Sequence, residues 1–95
     1  MATVVWDMRV RAEAAQTGLN LIRRIWADMA GYAGYLSHRL LQDEDDAGHF
    51  LVVSHWTDRE SADRTLKAYA NAEPVALLNP ILAAPRQRFV MDEPA

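Results

Sequence analysis

The first half of the chain carries the hydrophobic pattern of a strand, a helix and a second strand. Residues 3–11 alternate between apolar and polar side chains, which is the period of a β-strand with one apolar face. Residues 12–30 change to apolar side chains at steps of three and four, the period of an amphipathic helix. Residues 35–42 alternate again. The apolar stripe of the helix comprises Leu19, Ile22, Ile25, Trp26 and Met29.

The second half predicts the same order of elements without repeating the sequence. The acidic segment at residues 43–48 fits a solvated hairpin turn, because it lacks the ligand spacing and closing glutamate of a calcium loop. Residues 49–56 form the most apolar predicted strand. Thr57 and Glu60 match a capping box, so a helix is predicted to begin there and to extend to about residue 70.

The last elements complete a known architecture. Pro74 is predicted to begin a short third helix and Pro85 to end it, before a final strand at residues 86–92. The order strand–helix–strand, twice, predicts an α+β fold of ferredoxin-like type, βαββαβ, with a four-stranded antiparallel sheet and the helices on one side. A chain of 95 residues is expected to form a single domain, 1–95.

One face of the predicted sheet is left without helices, and we call it the open face. Alternation assigns a mixed set of side chains to it: Val5, Asp7, Arg9, Tyr35, Ser37, Arg39, Phe50, Val52, Ser54, Trp56, Arg88 and Val90. A second copy packed face to face would cover them and enclose a polar-lined cavity, so the sequence predicts a homodimer. These assignments depend on the register, because a shift of one residue inverts every one of them.

Composition narrows the classes of function. Hydrophobic residues make up 51% of the chain and charged residues 24%, as in soluble globular proteins. The formal net charge of −3 argues against binding to nucleic acid. The absence of cysteine excludes disulfides, thiolate zinc sites and cysteine nucleophiles. The longest uncharged stretch, residues 74–85, is too short and too rich in proline to span a membrane. We therefore expect a cytoplasmic protein without membrane or nucleic-acid partners.

Two segments resemble the antibiotic biosynthesis monooxygenase domain family. Residues 34–41, GYLSHRLL, resemble the glycine-opened second strand of that family. Its third strand, terminal tryptophan and acidic helix start resemble the pattern formed here by Phe50, Val52, Trp56, Asp58 and Glu60. The likeness covers nearly the whole chain. It implies a dimeric α+β barrel of two ferredoxin-like subunits, each with a pocket between its sheet and its helices.

The resemblance also bears on activity and cofactors. Some family members oxidise polycyclic phenols or anthrones to quinones with O2 and no cofactor, others degrade heme, and others are isomerases or quinol oxygenases. Heme degraders use an asparagine on the first strand, a tryptophan after the third and a later histidine. Trp56 matches the tryptophan, but Asp7 replaces the asparagine and no histidine follows His55. Some cofactor-free oxygenases carry an asparagine where this chain has Val52. No cofactor is therefore expected.

Two residues are candidate catalytic groups. Cofactor-free oxygenation requires a substrate that loses a proton and a pocket that stabilises the negative charge. Asp7 is the candidate base if it faces an apolar cavity, and a structural partner of an arginine otherwise. Trp56 would donate its indole N–H to bound oxygen or stack on an aromatic ligand; alternatively it fills the mouth of the cavity. Both residues are expected to line one pocket.

Further candidate site residues are predicted on the open face of the sheet or on its helix-covered face. The candidate substrate-binding residues are Arg9, Tyr35, Arg39 and Ser54. Tyr35 and Arg39 would bind an acidic phenolic ligand or hold a dimer together. His38 and His55 are predicted on the helix-covered face, where they would share a metal or a proton, although a hydrogen-bonded core histidine is the commoner outcome. No metal site is predicted.

Two classes of function follow. The first is a small monooxygenase that acts on an aromatic or polyketide-like substrate with O2, which Trp56 and the polar inner face favour. The second is a non-catalytic ligand-binding or assembly module of the same fold, which the missing asparagine and histidine favour.

Overall fold

The computed structural model describes all residues, 1–95, and its elements follow the predicted order. The strands are β1 (Ala2–Arg9), β2 (Tyr35–Gln42), β3 (His49–Trp56) and β4 (Gln87–Met91). The helices are α1 (Ala15–Met29), α2 (Arg59–Tyr69) and α3 (Glu73–Leu78), with single 3-10 turns at Ala12–Ala14 and Asn79–Ile81. None of the helices combines the length and the apolar character needed to cross a membrane.

The four strands form one antiparallel sheet in the order β2-β3-β1-β4. The central strands β1 and β3 pair along their whole length, and β2 and β4 form the edges. The predicted α+β, ferredoxin-like fold is confirmed. The core lies between the sheet and the helices, where Ile22, Phe50 and Leu78 have no exposed surface.

Pairing between β1 and β3 decides which side chains face the helices, because residues opposite each other on neighbouring strands share a face. On the helix-covered face the pairs are Ala2–Trp56, Val4–Ser54, Trp6–Val52 and Met8–Phe50. The open face therefore keeps Val5, Asp7 and Arg9, as predicted. The predicted faces of β3 are inverted, since the helices cover Phe50, Val52, Ser54 and Trp56.

The edge strands bring further corrections. Arg88 and Val90 pair with Trp6 and Val4, so they also lie on the helix-covered face and not on the open one. His55 lies on the open face, because it is paired with Thr3. The shared site expected for His38 and His55 is therefore wrong: His38 is paired with Ser54 on the opposite face.

An irregularity in β2 explains the misplaced tyrosine. Tyr35 is paired with Trp56, whereas Ser37, two residues later, is paired with His55, so the register shifts between them. The shift turns Tyr35 to the helix-covered face, where its ring meets that of Trp56 edge to face at 5.7 Å between centroids. Arg39, beyond the shift, lies on the open face as predicted.

The start of α2 also differs from the prediction. The N-cap is Asp58 and not Thr57: the Asp58 carboxylate accepts a hydrogen bond of 2.7 Å from the backbone N–H of Ser61. An aspartate at this position accepts a hydrogen bond from one of the free N–H groups of the first turn, so it caps the start of the helix as well as a threonine would.

The turn into β2 packs tightly against this helix start. Gly34 has a φ of +92°, a conformation that side chains with a Cβ rarely adopt. A Cβ added there would lie 2.3 Å from the Cβ of Ser61. Both facts require glycine, and the close contact fixes the end of α1 and the turn after it against α2.

Candidate functional site

An apolar cavity of about 80 Å³ lies between β1 and the three helices. Twelve residues line it, and eleven of them are hydrophobic. Its floor is Trp6 and Met8, on the helix-covered face of β1. Its remaining apolar wall comes from α1, α2 and α3, and includes Ile25, Trp26, Met29, Leu66, Tyr69 and Leu78.

A smaller cavity of about 20 Å³ continues the first towards β3. The two cavities share the side chains of Trp6, Trp26, Met29 and Leu66. The smaller one adds Trp56 and Arg88 to the lining. The helices and the sheet therefore enclose one apolar region that three tryptophans border.

Arg86 is the only charged residue that lines the larger cavity. Its guanidinium lies 5.6 Å from the centroid of the Trp6 ring, within the range of a cation–π contact. No carboxylate lies within 4 Å of it, and it makes no side-chain hydrogen bond. Burial lowers the pKa of Arg86 from its usual value. The cavity thus holds a half-buried positive charge that no protein group neutralises.

Other basic residues differ from Arg86 in exposure or in pairing. Arg88 also approaches the Trp6 ring, at 5.9 Å, but it donates a 2.7 Å hydrogen bond to the Asp63 carboxylate. Those without a carboxylate partner are Arg86 and three exposed side chains: Arg23, Arg39 and Lys67.

Tyr69 places a hydroxyl group beside the cavity, and that group is already bonded. It donates a 2.5 Å hydrogen bond to the Asp28 carboxylate, which joins α2 to α1. Burial, and then this carboxylate, hold the pKa of Tyr69 well above its usual value. Tyr69 therefore stays neutral and serves as a donor to Asp28.

Trp56 is 3% exposed, and its indole N–H has a protein partner. It donates to the Ser54 hydroxyl at 3.0 Å, and that hydroxyl donates to the backbone carbonyl of Val4 at 2.9 Å. Ser54 has no exposed surface. The chain of two hydrogen bonds ties the end of β3 to β1 and occupies the donor that was expected to serve bound oxygen.

Asp7 lies on the opposite side of the sheet from Trp56, so the expectation that both line one pocket is wrong. Asp7 is on the open face, and its carboxylate is 2.8 Å from Nε2 of His49. The partner of Asp7 is thus a histidine and not the arginine considered from the sequence. His49 Nδ1 lies 2.9 Å from the Asp43 carboxylate, so the imidazole bridges two carboxylates.

The four candidate substrate-binding residues line neither cavity. Arg9 and Arg39 lie on the open face, and Arg9 is 3.6 Å from the Asp46 carboxylate. Tyr35 and Ser54 lie on the helix-covered face. The Tyr35 hydroxyl is 2.6 Å from Nδ1 of His38, whose pKa is lowered by burial.

Comparison with known proteins places the chain in a family. Residues 1–70 match the antibiotic biosynthesis monooxygenase family. This chain belongs to that family. No protein with a curated description matches it.

Solved structures share the fold of this monooxygenase-family chain. A crystal structure of an antibiotic biosynthesis monooxygenase is 24% identical over all of both chains, with a TM-score of 0.88. SnoaB, a cofactor-independent oxygenase from Streptomyces nogalater, is 20% identical over 98% of this chain and 94% of its own, with a TM-score of 0.81. A conserved protein from Methanosarcina mazei Go1 is 18% identical over 98% of this chain and 92% of its own, with a TM-score of 0.85. At these identities the likeness shows the fold alone.

Sequence reasoning missed the residues that border the cavity of this family member. Trp26 was expected only as part of the apolar stripe of its helix, and the motif that carried the resemblance includes neither Trp26 nor Trp6. Arg86 was not considered as a binding residue. Alternation places it on the same face as Arg88, two residues later, and that face was predicted to be the open side of the sheet. Only the observed pairing of Arg88 with Trp6 turns this face towards the helices.

The contacts of the His49 imidazole with the Asp7 and Asp43 carboxylates predict how the stability of the protein depends on pH. Hydrogen bonds to Asp43 and Asp7 raise the pKa of His49 above its usual 6.5. The stabilisation of the folded protein by protonated His49 is therefore complete below pH 6.5 and is lost as the pH rises through the raised pKa of His49 in the folded protein. Hydrogen bonds, of which the one from His49 has the largest effect, lower the pKa of Asp43 from its usual 3.8. The stabilisation that comes from the ionised Asp43 carboxylate is therefore complete above pH 3.8 and is lost as the pH falls through the lowered pKa of the folded protein.

We expect Asp7→Asn to lower the pKa of His49, because the variant removes one of the two carboxylates that favour the imidazolium. Titration of the His49 ring protons by NMR measures this directly, and thermal unfolding at several pH values gives the matching loss of stability. Asp45→Asn in the same turn is the control, since the Asp45 side chain makes no ion pair. An unchanged His49 titration in Asp7→Asn would contradict the assigned bridge.

Proposed function

We propose that this family member is a cofactor-independent monooxygenase that oxidises a planar aromatic or polyketide-like substrate with O2. The proposed site is the cavity between the sheet and the helices. The supporting observation is its lining, eleven hydrophobic residues and one cation, Arg86. Ligand sites are typically apolar clefts with a few convergent polar groups. The fold shared with SnoaB, a cofactor-independent oxygenase, adds support.

The cavity must enlarge to hold such a substrate. Its volume of about 80 Å³ is below the roughly 300–1,000 Å³ that is typical of ligand pockets. Met8 and Met29 line it, and methionine adopts new rotamers at low cost. We therefore expect these two side chains to repack when a ligand enters.

The proposed oxidation requires few functional groups from the protein. A substrate with an acidic ring C–H or O–H loses a proton and becomes an electron-rich anion that transfers electrons to O2. For a ring methylene, methylene and O2 give a ketone and water: two C–H bonds break, one oxygen atom stays in the product and the other leaves as water. No external reductant is consumed. The apolar walls exclude water, and Arg86 stabilises the negative charge.

A ligand-binding module without catalysis is the second candidate. The observation that favours it is the engagement of both sequence-predicted catalytic groups in structural hydrogen bonds. Asp7 is bonded to His49 on the other side of the sheet, and the Trp56 N–H is bonded to Ser54. Heme degradation is not proposed, because no histidine lines either cavity to serve as an axial ligand.

Oxygen uptake distinguishes the two candidates. We expect the protein to accelerate O2 consumption by an anthrone, without added metal or flavin, and to give the anthraquinone and water. A hydroquinone would instead lose two hydrogens to O2 and give its quinone and hydrogen peroxide, which reports oxidation without insertion of oxygen. Intrinsic tryptophan fluorescence reports binding in the same samples, because Trp6 and Trp26 line the cavity. Saturable binding without accelerated uptake across the panel would favour the binding module.

We also propose a homodimer, in which the open face packs against that of a second copy. This face carries Leu41, Phe89 and Met91 at 40%, 44% and 53% exposure, a costly amount of apolar surface to leave in water. An obligate interface of this kind buries about 2,000 Å² or more in total. Sedimentation velocity at micromolar concentration tests it, and a stable folded monomer would refute it.

A further inference from the structure

We propose that Arg86 is the anion-binding residue of the cavity, and that its ligands are planar aromatic acids, phenols or enols, held in ionised form. This inference rests on the proposed function of the same cavity, and it adds the charge state of the ligand and the residue that selects it. It concerns binding alone and requires no redox step.

The first support is the unfavourable free energy of the Arg86 guanidinium charge in its half-buried position. Arg86 is half-buried, faces a cavity whose other lining residues are hydrophobic, and has no carboxylate within 4 Å. A charge that is partly removed from water and left unpaired is unfavourable. The face of the Trp6 ring offsets part of this cost, but it carries no net charge. A ligand anion would supply the missing partner.

Arg88 serves as an internal comparison. It lies two residues along the chain, faces the same side of the sheet and approaches the same Trp6 ring. Its guanidinium is neutralised by Asp63, which reaches it from α2. The pairing of Arg88 leaves Arg86 as the only positive charge available to a ligand in the larger cavity.

The second support is the lack of a competing acid–base group. Neither a carboxylate nor an imidazole lines the two cavities. The hydroxyl of Tyr69 is committed to Asp28. A ligand proton would therefore pass to solvent, and the positive charge of Arg86 would hold the anion that remains. The site should select ligands by their own acidity and should disfavour neutral or cationic aromatics of the same shape.

The test measures the ionisation of a bound probe, 2-naphthol, under nitrogen so that no oxidation takes place. The naphtholate absorbs at longer wavelength than the neutral form, so a pH titration at saturating protein gives its acid dissociation constant. A nearby opposite charge shifts ionisation by one to three pKa units, and partial solvent exposure places the effect at the low end. We expect the constant of bound 2-naphthol to be about tenfold higher than that of the free compound.

Variants identify the responsible residue. Arg86→Met keeps apolar bulk and should abolish the increase, whereas Arg86→Lys keeps the charge and should retain most of it. Arg23→Met removes an exposed, unpaired arginine of α1 and is the control. Circular dichroism verifies that each variant is folded. An equal increase in wild type and Arg86→Met would overturn the inference.

The outcomes separate this inference from the proposed function. Saturable binding with an unshifted constant in wild type overturns the inference alone. A shifted constant with no oxygen uptake on any anthrone or hydroquinone supports the inference and overturns the monooxygenase. Absence of saturable binding by 2-naphthol and by the anthrones overturns both.

Discussion

Replacing Ala70 by tryptophan should reduce oxygen uptake on an anthrone at least ~100-fold, because a substrate that is displaced even slightly from its productive position loses about that factor. Ala70 lines the cavity at the C-terminal end of α2, and its own side chain is exposed. Its helical backbone conformation accepts tryptophan without strain. An indole added at the rim would therefore occupy the small cavity without disturbing the buried core.

Ala68→Trp is the matched control for this variant. Ala68 is exposed on the same helix but does not line the cavity. Both variants add the same side chain at an exposed position of the same helix, so their stabilities should be similar and only Ala70→Trp should lose activity. Equal activity in the two would show that the substrate binds elsewhere, with the open face as the next place to look.

Replacing Ser54 by alanine should lower the free energy of unfolding by about 1–3 kcal/mol, since it leaves a buried indole N–H without an acceptor. The Trp56 donor lies at the end of β3, where 3% exposure excludes water as a substitute partner. The backbone carbonyl of Val4 also loses the hydroxyl that donates to it. Denaturant unfolding measures the loss.

Trp56→Phe completes the test, because it removes the donor itself. In that background Ser54→Ala leaves no unpaired N–H, so it should cost about 1 kcal/mol less than in the wild type. Oxygen uptake on the same variants separates structure from catalysis. If the N–H served bound oxygen instead, Trp56→Phe would lose turnover while Ser54→Ala, which frees the N–H, would keep it.

The sequence predicted the elements well and the faces of the sheet only in part. The bounds of β2 and β3 are as predicted, because turn residues flank each of these strands. The face of β3 was inverted since both of its sides are apolar: Phe50 and Val52 alternate with Leu51 and Val53. Only the pairing with β1 distinguishes them, and pairing depends on contacts between distant parts of the chain.

The candidate site was predictable to a smaller extent. Trp56 was predicted on the open face, whereas it lies on the helix-covered face, where Ser54 accepts its N–H. Arg86 and Arg88 look alike in the sequence. What separates them is Asp63, which α2 places beside Arg88 and not beside Arg86. Such a difference appears only when the helix is docked on the sheet.

The contact between Gly34 and Ser61 has a consequence for the evolution of this chain. Any residue with a Cβ at 34 would face both an unfavourable φ and the side chain of Ser61, whereas the bond from Ser61 to Asp58 uses only the backbone N–H, which any residue except proline supplies. Position 34 is therefore expected to remain glycine among descendants of this sequence, whatever residue stands at 61. Position 61, buried against Gly34, is expected to vary only among small side chains, while the acidic turn between β2 and β3 changes more freely.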